Sequence, residues 1–534
     1  MAVVLLCCAA GAAAGQGRDA RLQEAQAAFD AATKLRGSGR YADAILQGER
    51  ALAAREAVHG RAHPEVASAL HLLGVLHILQ GDLARAEPLL QRGHDIREAA
   101  LGKHHPDVAD SLNSLGGLYL EQGAYGRAEP LFERALAIWE AAHGGKHPKV
   151  AHALNNLAKL YWSQGLYGRA EPLYERALAI GEAAHGERHS AVADLLDNLA
   201  SLYKDRGLYR RAEPLYERAL SIREAALARN HPQVAASLNN LANLYKAQGL
   251  HGRAEPLYER ALAMAEATLG PSHPTVALFI NNLAILYSEQ GLYGRAESLY
   301  TRALAIQEAA LGKHHPDTAQ MLHNLAALLT DQGQYARAAP LHARALAIRG
   351  AVLGDNHPLF AASLGNLAAL SMARGQYARA SPLYERALAI EEAALGPTHP
   401  GVAARLDNLA QLRLAQGRLA EAVPLFTRAF ALSEQRLRRE ALDFSEARLV
   451  GFLQHLRSNE ERLYALLRAY SANARVRRLA LSAALLLKGR SVEETADISR
   501  VVYRRLSASE RDAFERLRGL RTPAGPRRSP SRGG

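Results

Sequence analysis

Cysteine is nearly missing from these 534 residues: Cys7 and Cys8 are the only two, and both lie in the first ten positions. The body of the chain can therefore hold neither a disulfide framework nor a cysteine metal site. Aromatic residues make up only 6%, so a core must be built mainly from small and aliphatic side chains. Lysine supplies only 9 of the 65 basic residues. No apolar run is long enough to cross a bilayer as a helix, so no integral membrane insertion is expected. Residues 1–15 are apolar and small, with Ala12 and Ala14 in an A-x-A cleavage pattern, but they lack the basic start of a secretory signal. They read as a signal peptide or a hydrophobic N-terminus. Export to the periplasm is the expectation if this is a truncated signal, and the cytoplasm otherwise. Phosphate-cradling GxGxxG and GxxxxGK[ST] loops are missing, as are HExxH and GxSxG. The expectation is a chain that is no enzyme and takes no cofactor.

The net charge of +12 is unevenly placed. Residues 434–534 hold 22 basic and 12 acidic side chains, so they carry ten of those charges and the rest of the chain is close to neutral. A basic overall balance therefore does not argue for nucleic acid as the partner.

What the chain has in abundance is repetition. Histidine recurs at His63, His105, His147, His189, His231, His273, His315, His357 and His399, each step being 42 residues. Proline follows eight of these nine, Ser190 being the exception. Glycine keeps the same period from Gly39 through Gly165 to Gly417. Such a fixed step signals stacked structural units.

Within one unit, Leu154, Leu157, Ala158 and Tyr161 share one helical face. Pro148 suits the first turn of that helix, and Gly165 suits its end. Tyr167, Ala170, Tyr174, Ala177 and Leu178 mark a second helix, ended by Gly186. Two such helices cannot bury both faces alone, so neighbours must complete the core. Pro130, Pro172, Pro214 and Pro256 fall in the opening turns of second helices, where a mild kink is expected.

Leu157-Ala158, Tyr161, Gly165, Tyr167, Ala170, Tyr174 and Ala177 resemble the tetratricopeptide signature. Glu182 stands where that signature closes with proline, so the second helix runs on, giving 42 residues in place of the usual ~34. Units reading Leu-Asn-Asn-Leu-Ala-Lys-Leu-Tyr and then Gly-Leu-Tyr-Gly-Arg-Ala-Glu-Pro-Leu-Tyr are similar to the kinesin-light-chain class. The resemblance implies an all-α fold: a right-handed α-solenoid of about ten antiparallel helix pairs over 21–433. A non-repeating helical C-terminal extension over 434–522 and a disordered tail over 523–534 are expected to follow. The stretch from Arg478 to Leu520 resembles the linker that joins such repeats to a caspase-like CHAT peptidase in bacterial proteins. No Cys follows Cys8, so the nucleophile of that class has no counterpart here. A second expectation is therefore the regulatory half of a truncated CHAT protease.

The leading expectation is a scaffold that binds a peptide or protein in a concave groove. By resemblance, the first helix of each unit lines that groove. One asparagine column, including Asn156, Asn198, Asn240, Asn282, Asn324, Asn366 and Asn408, hardly varies. It is read as a structural hydrogen bond within each repeat. The column before it varies and is read as groove-lining: Asn113, Asn155, Asp197, Asn239, Asn281 and His323. Lys159, Trp162, Lys204, Asn243 and Lys246 join it. Asn can both donate to and accept from a peptide backbone, and Lys would select acidic side chains. The histidine column is read as a helix cap. Its copies are a whole repeat apart, so no metal site is expected, and the pairs His59/His63, His143/His147 and His185/His189 span a turn. Arginines such as Arg169, Arg176, Arg211 and Arg218, interleaved with Glu171 and Glu175, are read as solvated salt bridges on the second helices.

Overall fold

The structure is a computed structural model and describes residues 2–228 and 230–440, with residues 469, 470, 473 and 476. Its helices are α1 (Ala2–Gly37), α2 (Tyr41–His59), α3 (Pro64–Leu79), α4 (Leu83–Leu101), α5 (Pro106–Glu121), α6 (Tyr125–His143) and α7 (Pro148–Ser163). Next come α8 (Tyr167–His185), α9 (Ser190–Arg206), α10 (Tyr209–Ala226), α11 (Pro232–Ala247), α12 (His251–Leu269) and α13 (Pro274–Glu289). The series closes with α14 (Tyr293–Leu311), α15 (Pro316–Asp331), α16 (Tyr335–Leu353), α17 (Pro358–Ala373), α18 (Tyr377–Leu395), α19 (Pro400–Ala415) and α20 (Leu419–Glu440). Among the described residues these are ten helix pairs and no strand. Of the extension expected over 434–522, residues 434–440 continue α20 and the rest lies almost wholly outside the described residues, as do the tail over 523–534 and the stretch resembling the CHAT linker. None of the helices is long and apolar enough to cross a membrane.

Each pair is set by its caps. From α3 to α19, the histidine side chain before each first helix accepts a hydrogen bond from the backbone N–H two residues on, as His147 does from Lys149 at 3.2 Å. This satisfies one of the N–H groups that a helix start leaves without a partner. At the other end Gly165 takes φ of 70°, and the N–H of Leu166 returns to the carbonyl of Tyr161 at 2.8 Å. Only glycine adopts that left-handed backbone without penalty. Of the predicted faces, Leu154, Leu157, Ala158, Tyr161, Ala170, Tyr174 and Ala177 are core, while Tyr167 and Leu178 are half-buried against it. Alanine at the last crossing points lets the helices approach closely.

Each pair packs on the next, α7 on α8 and α8 on α9, throughout the stack. First helices of successive repeats approach one another more closely than second helices do. The stack therefore curves with the first helices inside.

Neighbouring repeats are also keyed. From α2 to α18, a position on each second helix, half-buried at Arg97 and buried in the others, faces a position fourteen residues later, on the following first helix. Where the first member is Arg97 or Arg349, the second is Ser111 or Ser363, hydrogen-bonded at 2.8 Å in both cases. Arg223 meets Ser237 in the same way. Trp139 faces Ala153 within one cluster. The sizes reverse elsewhere. Gly181 faces Leu195, whose Cδ1 lies 2.6 Å from where a Cβ on Gly181 would sit. Ala265 shares a cluster with Phe279, and Glu391 is paired with Arg405 at 2.8 Å. The arginines also reach back to the first helix of their own repeat, Arg349 bonding Gln320 at 2.8 Å and Arg55 bonding Gln26 at 3.2 Å. Each guanidinium thus ties three helices together.

Interior packing tolerates little extra volume. Gly181→Arg should therefore cost about 1–3 kcal/mol, seen as a lower urea midpoint. Adding Leu195→Ser recreates the Arg223–Ser237 pairing and should recover most of that loss. A double variant no more stable than Gly181→Arg alone would contradict the keyed interface.

Candidate functional site

The inner wall carries the residues singled out from the sequence, and each of the eleven already has a partner within the chain. The asparagine columns form a ladder. Asn156 Nδ2 donates to Asn113 Oδ1 at 2.9 Å, Asn198 to Asn155 at 2.8 Å, Asn282 to Asn239 at 3.0 Å and Asn324 to Asn281 at 2.7 Å. Asn366 continues it to His323 Nδ1 at 2.8 Å. This corrects the expected bond within each repeat: every rung joins one repeat to the one before. The cause is the close approach of successive first helices, which places an amide of one beside the variable residue of its predecessor.

Burial then divides the groove residues. Asp197, Asn239 and Asn281 are only 8%, 7% and 6% exposed. They were expected to line the groove and are instead turned into the neighbouring helix. Asp197 accepts from Arg223 at 2.5 Å. Burial alone would lower the Arg223 pKa, but Asp197 and Asp194 outweigh it and raise the value. Asn113, Asn155, Trp162, Lys204, Asn243, Lys246 and His323 stay half-buried, and Lys159 is exposed.

The lysines are not bare charges. Lys159 lies 3.5 Å from Glu121, Lys204 3.1 Å from Asp205 and Lys246 3.8 Å from Glu289. Trp162 Nε1 donates to Asp205 at 3.0 Å, and Asn243 accepts from the Tyr258 hydroxyl at 2.6 Å. The inner wall therefore presents acid–base pairs where lone cations were expected. Such half-exposed pairs are weak, worth about 1 kcal/mol or less, so they leave the wall adaptable.

Asn155 has one group to spare. Its Oδ1 takes the Asn198 amide, while its own N–H groups have no protein partner among the described residues. A cavity of about 200 Å³ lies beside it, with His152, Asn155, Gly181, Asp194, Leu195 and Asn198 among its lining residues.

The outer arginines are also more organised than expected. Arg176 pairs with Glu140 at 2.6 Å and Arg260 with Glu224 at 2.9 Å, each across a repeat boundary. Tyr161 donates to Glu129 at 2.8 Å, with the Arg169 guanidinium stacked 3.8 Å over its ring. Stacking lines up second helices side by side, so these charges meet between helices and not along one. The histidine pairs His59/His63, His143/His147 and His185/His189 stack ring on ring at 4.3, 4.3 and 4.8 Å.

Two sets of residues escaped the sequence reading. Arg223 and its equivalents could have been found from the reciprocal sizes at positions fourteen apart. His315 and His357 could not. They bond residues 236 positions away, and the histidine column carries no mark that separates them from their copies.

The family model for the tetratricopeptide repeat matches nine overlapping segments, from residues 23–99 to residues 359–435. The chain belongs to the tetratricopeptide repeat family. Solved structures similar to it include the nearly identical TPR-like repeats of a kinesin light chain from Podosopora anserina. They are 31% identical over 38% of this chain and 97% of that one, with a TM-score of 0.33. BtubC (BKLC) from P. vanneervenii is 26% identical over 47% of this chain and 92% of its own, with a TM-score of 0.35. A Rap protein complexed with Competence and Sporulation Factor is 13% identical over 78% of this chain and 99% of its own, with a TM-score of 0.45. A comparison with curated proteins gives no match.

The ladder and the buried histidines each make a measurable claim about this tetratricopeptide stack. Asn324→Ala leaves the buried Asn281 carbonyl oxygen without its donor, which should cost about 1–3 kcal/mol in urea unfolding. Burial pushes His71, His323, His342 and His357 down to about 4. In the unfolded chain they titrate near 6.5. Between those values the unfolded state binds more protons, so stability should fall as pH drops from 6.5 toward 4 and level off below. His342 occupies the column of Tyr174, Tyr216, Tyr258, Tyr300 and Tyr384. His342→Tyr should flatten the acid limb of a melting-temperature profile, and an unchanged slope would contradict this assignment.

Proposed function

We propose that the protein is a non-catalytic interaction scaffold that holds a segment of a partner protein against its inner wall. The observation that carries this reading is the unspent Asn155 amide beside its cavity, set in a half-exposed polar surface. Asn113, Asn155, Lys159, Trp162, Lys204, Asn243 and Lys246 supply donors, paired charges and one indole along successive first helices. An extended or helical chain offers matching carbonyls and side chains at repeated intervals, so many modest contacts add along the stack. Asp197, Asn239, Asn281 and His323 support that surface through the Arg223 clamp and the ladder. A polypeptide suits the wall better than a nucleic acid does, because its lysines sit beside carboxylates that would repel phosphates.

The test spares the ladder. Asn155→Asp keeps the acceptor for Asn198 and removes the donors. Combined with Lys159→Ala and Lys246→Ala, it should abolish recovery of partner proteins from extracts of the native cell. Arg210→Ala with Glu259→Ala, both exposed on second helices, should leave recovery intact. Equal recovery by the two variants, with both folded by circular dichroism, would reject the inner wall as the binding surface.

A further inference from the structure

A stack of repeats normally makes contacts only between neighbours. Here the chain also meets itself one superhelical turn later. Gly39, Gly81 and Gly123, each at the turn between two paired helices, lie against His273, His315 and His357, each 234 residues further on. The fit is tight. A Cβ on Gly81 would come within 2.5 Å of Pro316 Cδ, and one on Gly123 within 2.9 Å of Pro358 Cδ. Val352 and Leu353 of α16 pack against the cluster of Leu83, Ala86 and Leu90 in α4.

The two later histidines bond across this seam. Nδ1 of His315 accepts from the Asp317 N–H at 3.1 Å, and that of His357 from the Leu359 N–H at 2.9 Å. An accepting Nδ1 leaves the proton on Nε2. Nε2 of His315 then donates to the Leu79 carbonyl at 3.2 Å, and Nε2 of His357 to the Glu121 carbonyl at 3.1 Å. Those carbonyls end α3 and α5, where a helix has no N–H donors of its own to offer them. One neutral imidazole thus caps the start of one helix and the end of another, a turn away. The first crossing is looser: His273 Nε2 has no partner among the described residues, and a cavity of about 420 Å³ lies between Ser38–Asp43 and Leu269–Pro274.

We propose that His315 and His357 are a latch that holds the first superhelical turn shut, so that releasing them lengthens the pitch and opens the inner wall sideways. Two hydrogen bonds and a narrow strip of contact hold the seam. Opening it leaves every repeat-to-repeat interface intact. The latch stands on this geometry alone, and only its consequence for a partner rests on the inner-wall reading.

The experiment separates latching from capping. Asn is a strong N-cap but too short to reach across the seam. His315→Asn with His357→Asn should keep the melting temperature near that of the wild type and shift the maximum dimension in small-angle X-ray scattering to larger values. His147→Asn with His231→Asn, away from these contacts, should leave the dimension unchanged. Equal dimensions in the wild type and the seam variant would overturn the latch. Sideways access is read separately, in a background with Cys7 and Cys8 changed to Ser. A Cβ at Gly117, on α5, meets nothing within 4 Å, so Gly117→Cys places a lone thiol on the inner wall. Seam release should speed its reaction with a polyethylene-glycol maleimide and leave that with N-ethylmaleimide unchanged. An unaltered ratio of the two rates would overturn the opening while sparing the question of which partner binds.

Discussion

Every helix pair must hide apolar faces that it cannot cover by itself, and nearly all of the cover comes from the neighbouring pairs. That constraint generates the rest of the structure. It explains why alanine fills Ala158, Ala170 and Ala177, where helices cross closely. It also explains why polar groups gather at the boundaries between repeats. Apolar contact between near-identical surfaces is non-directional. Hydrogen bonds and size-matched pairs are directional, and they distinguish one boundary from another. Arg223 with Ser237, Gly181 with Leu195 and Glu391 with Arg405 are three different solutions at one position. A register slip by one repeat would set an arginine against leucine or leave a carboxylate without its partner.

The inner wall follows from the same curvature. Bringing first helices close allows asparagine of one repeat to reach the one before, so hydrogen bonds within the chain tie the wall together. Its polar atoms are largely satisfied from within. A ligand gains from such a surface only where groups remain unspent, as at Asn155, or where weak pairs such as Lys159 with Glu121 can be exchanged. In the proposed function, affinity is the sum over many such places, which suits a long segment better than a small molecule.

The seam changes the mechanical character of the stack. Without it, bending each interface slightly would lengthen the coil at little cost. With it, a contact between distant repeats opposes that motion, and the free energy of opening sits in a few groups. Tight glycine turns and a doubly bonded imidazole make the closed form specific while leaving it cheap to undo.

Helix type, the pairing of helices, their order and their buried faces were all legible from the 42-residue step, because each is a local consequence of periodicity and caps. For the candidate wall, the sequence named columns on the first helices, and the structure gives each named residue a partner within the chain. Burial of Asp197, Asn239 and Asn281 could not be read from the sequence, nor could the pairing of Lys159, Lys204 and Lys246 with carboxylates. Those outcomes depend on the distance between successive helices. The latch was the least accessible of all. His315 is the same residue in the same local motif as His231, and only the rise and curvature of the whole coil bring one of them to a carbonyl 236 residues away. Local sequence dictates what each repeat is. The angle between repeats, summed over a full turn, decides what it touches.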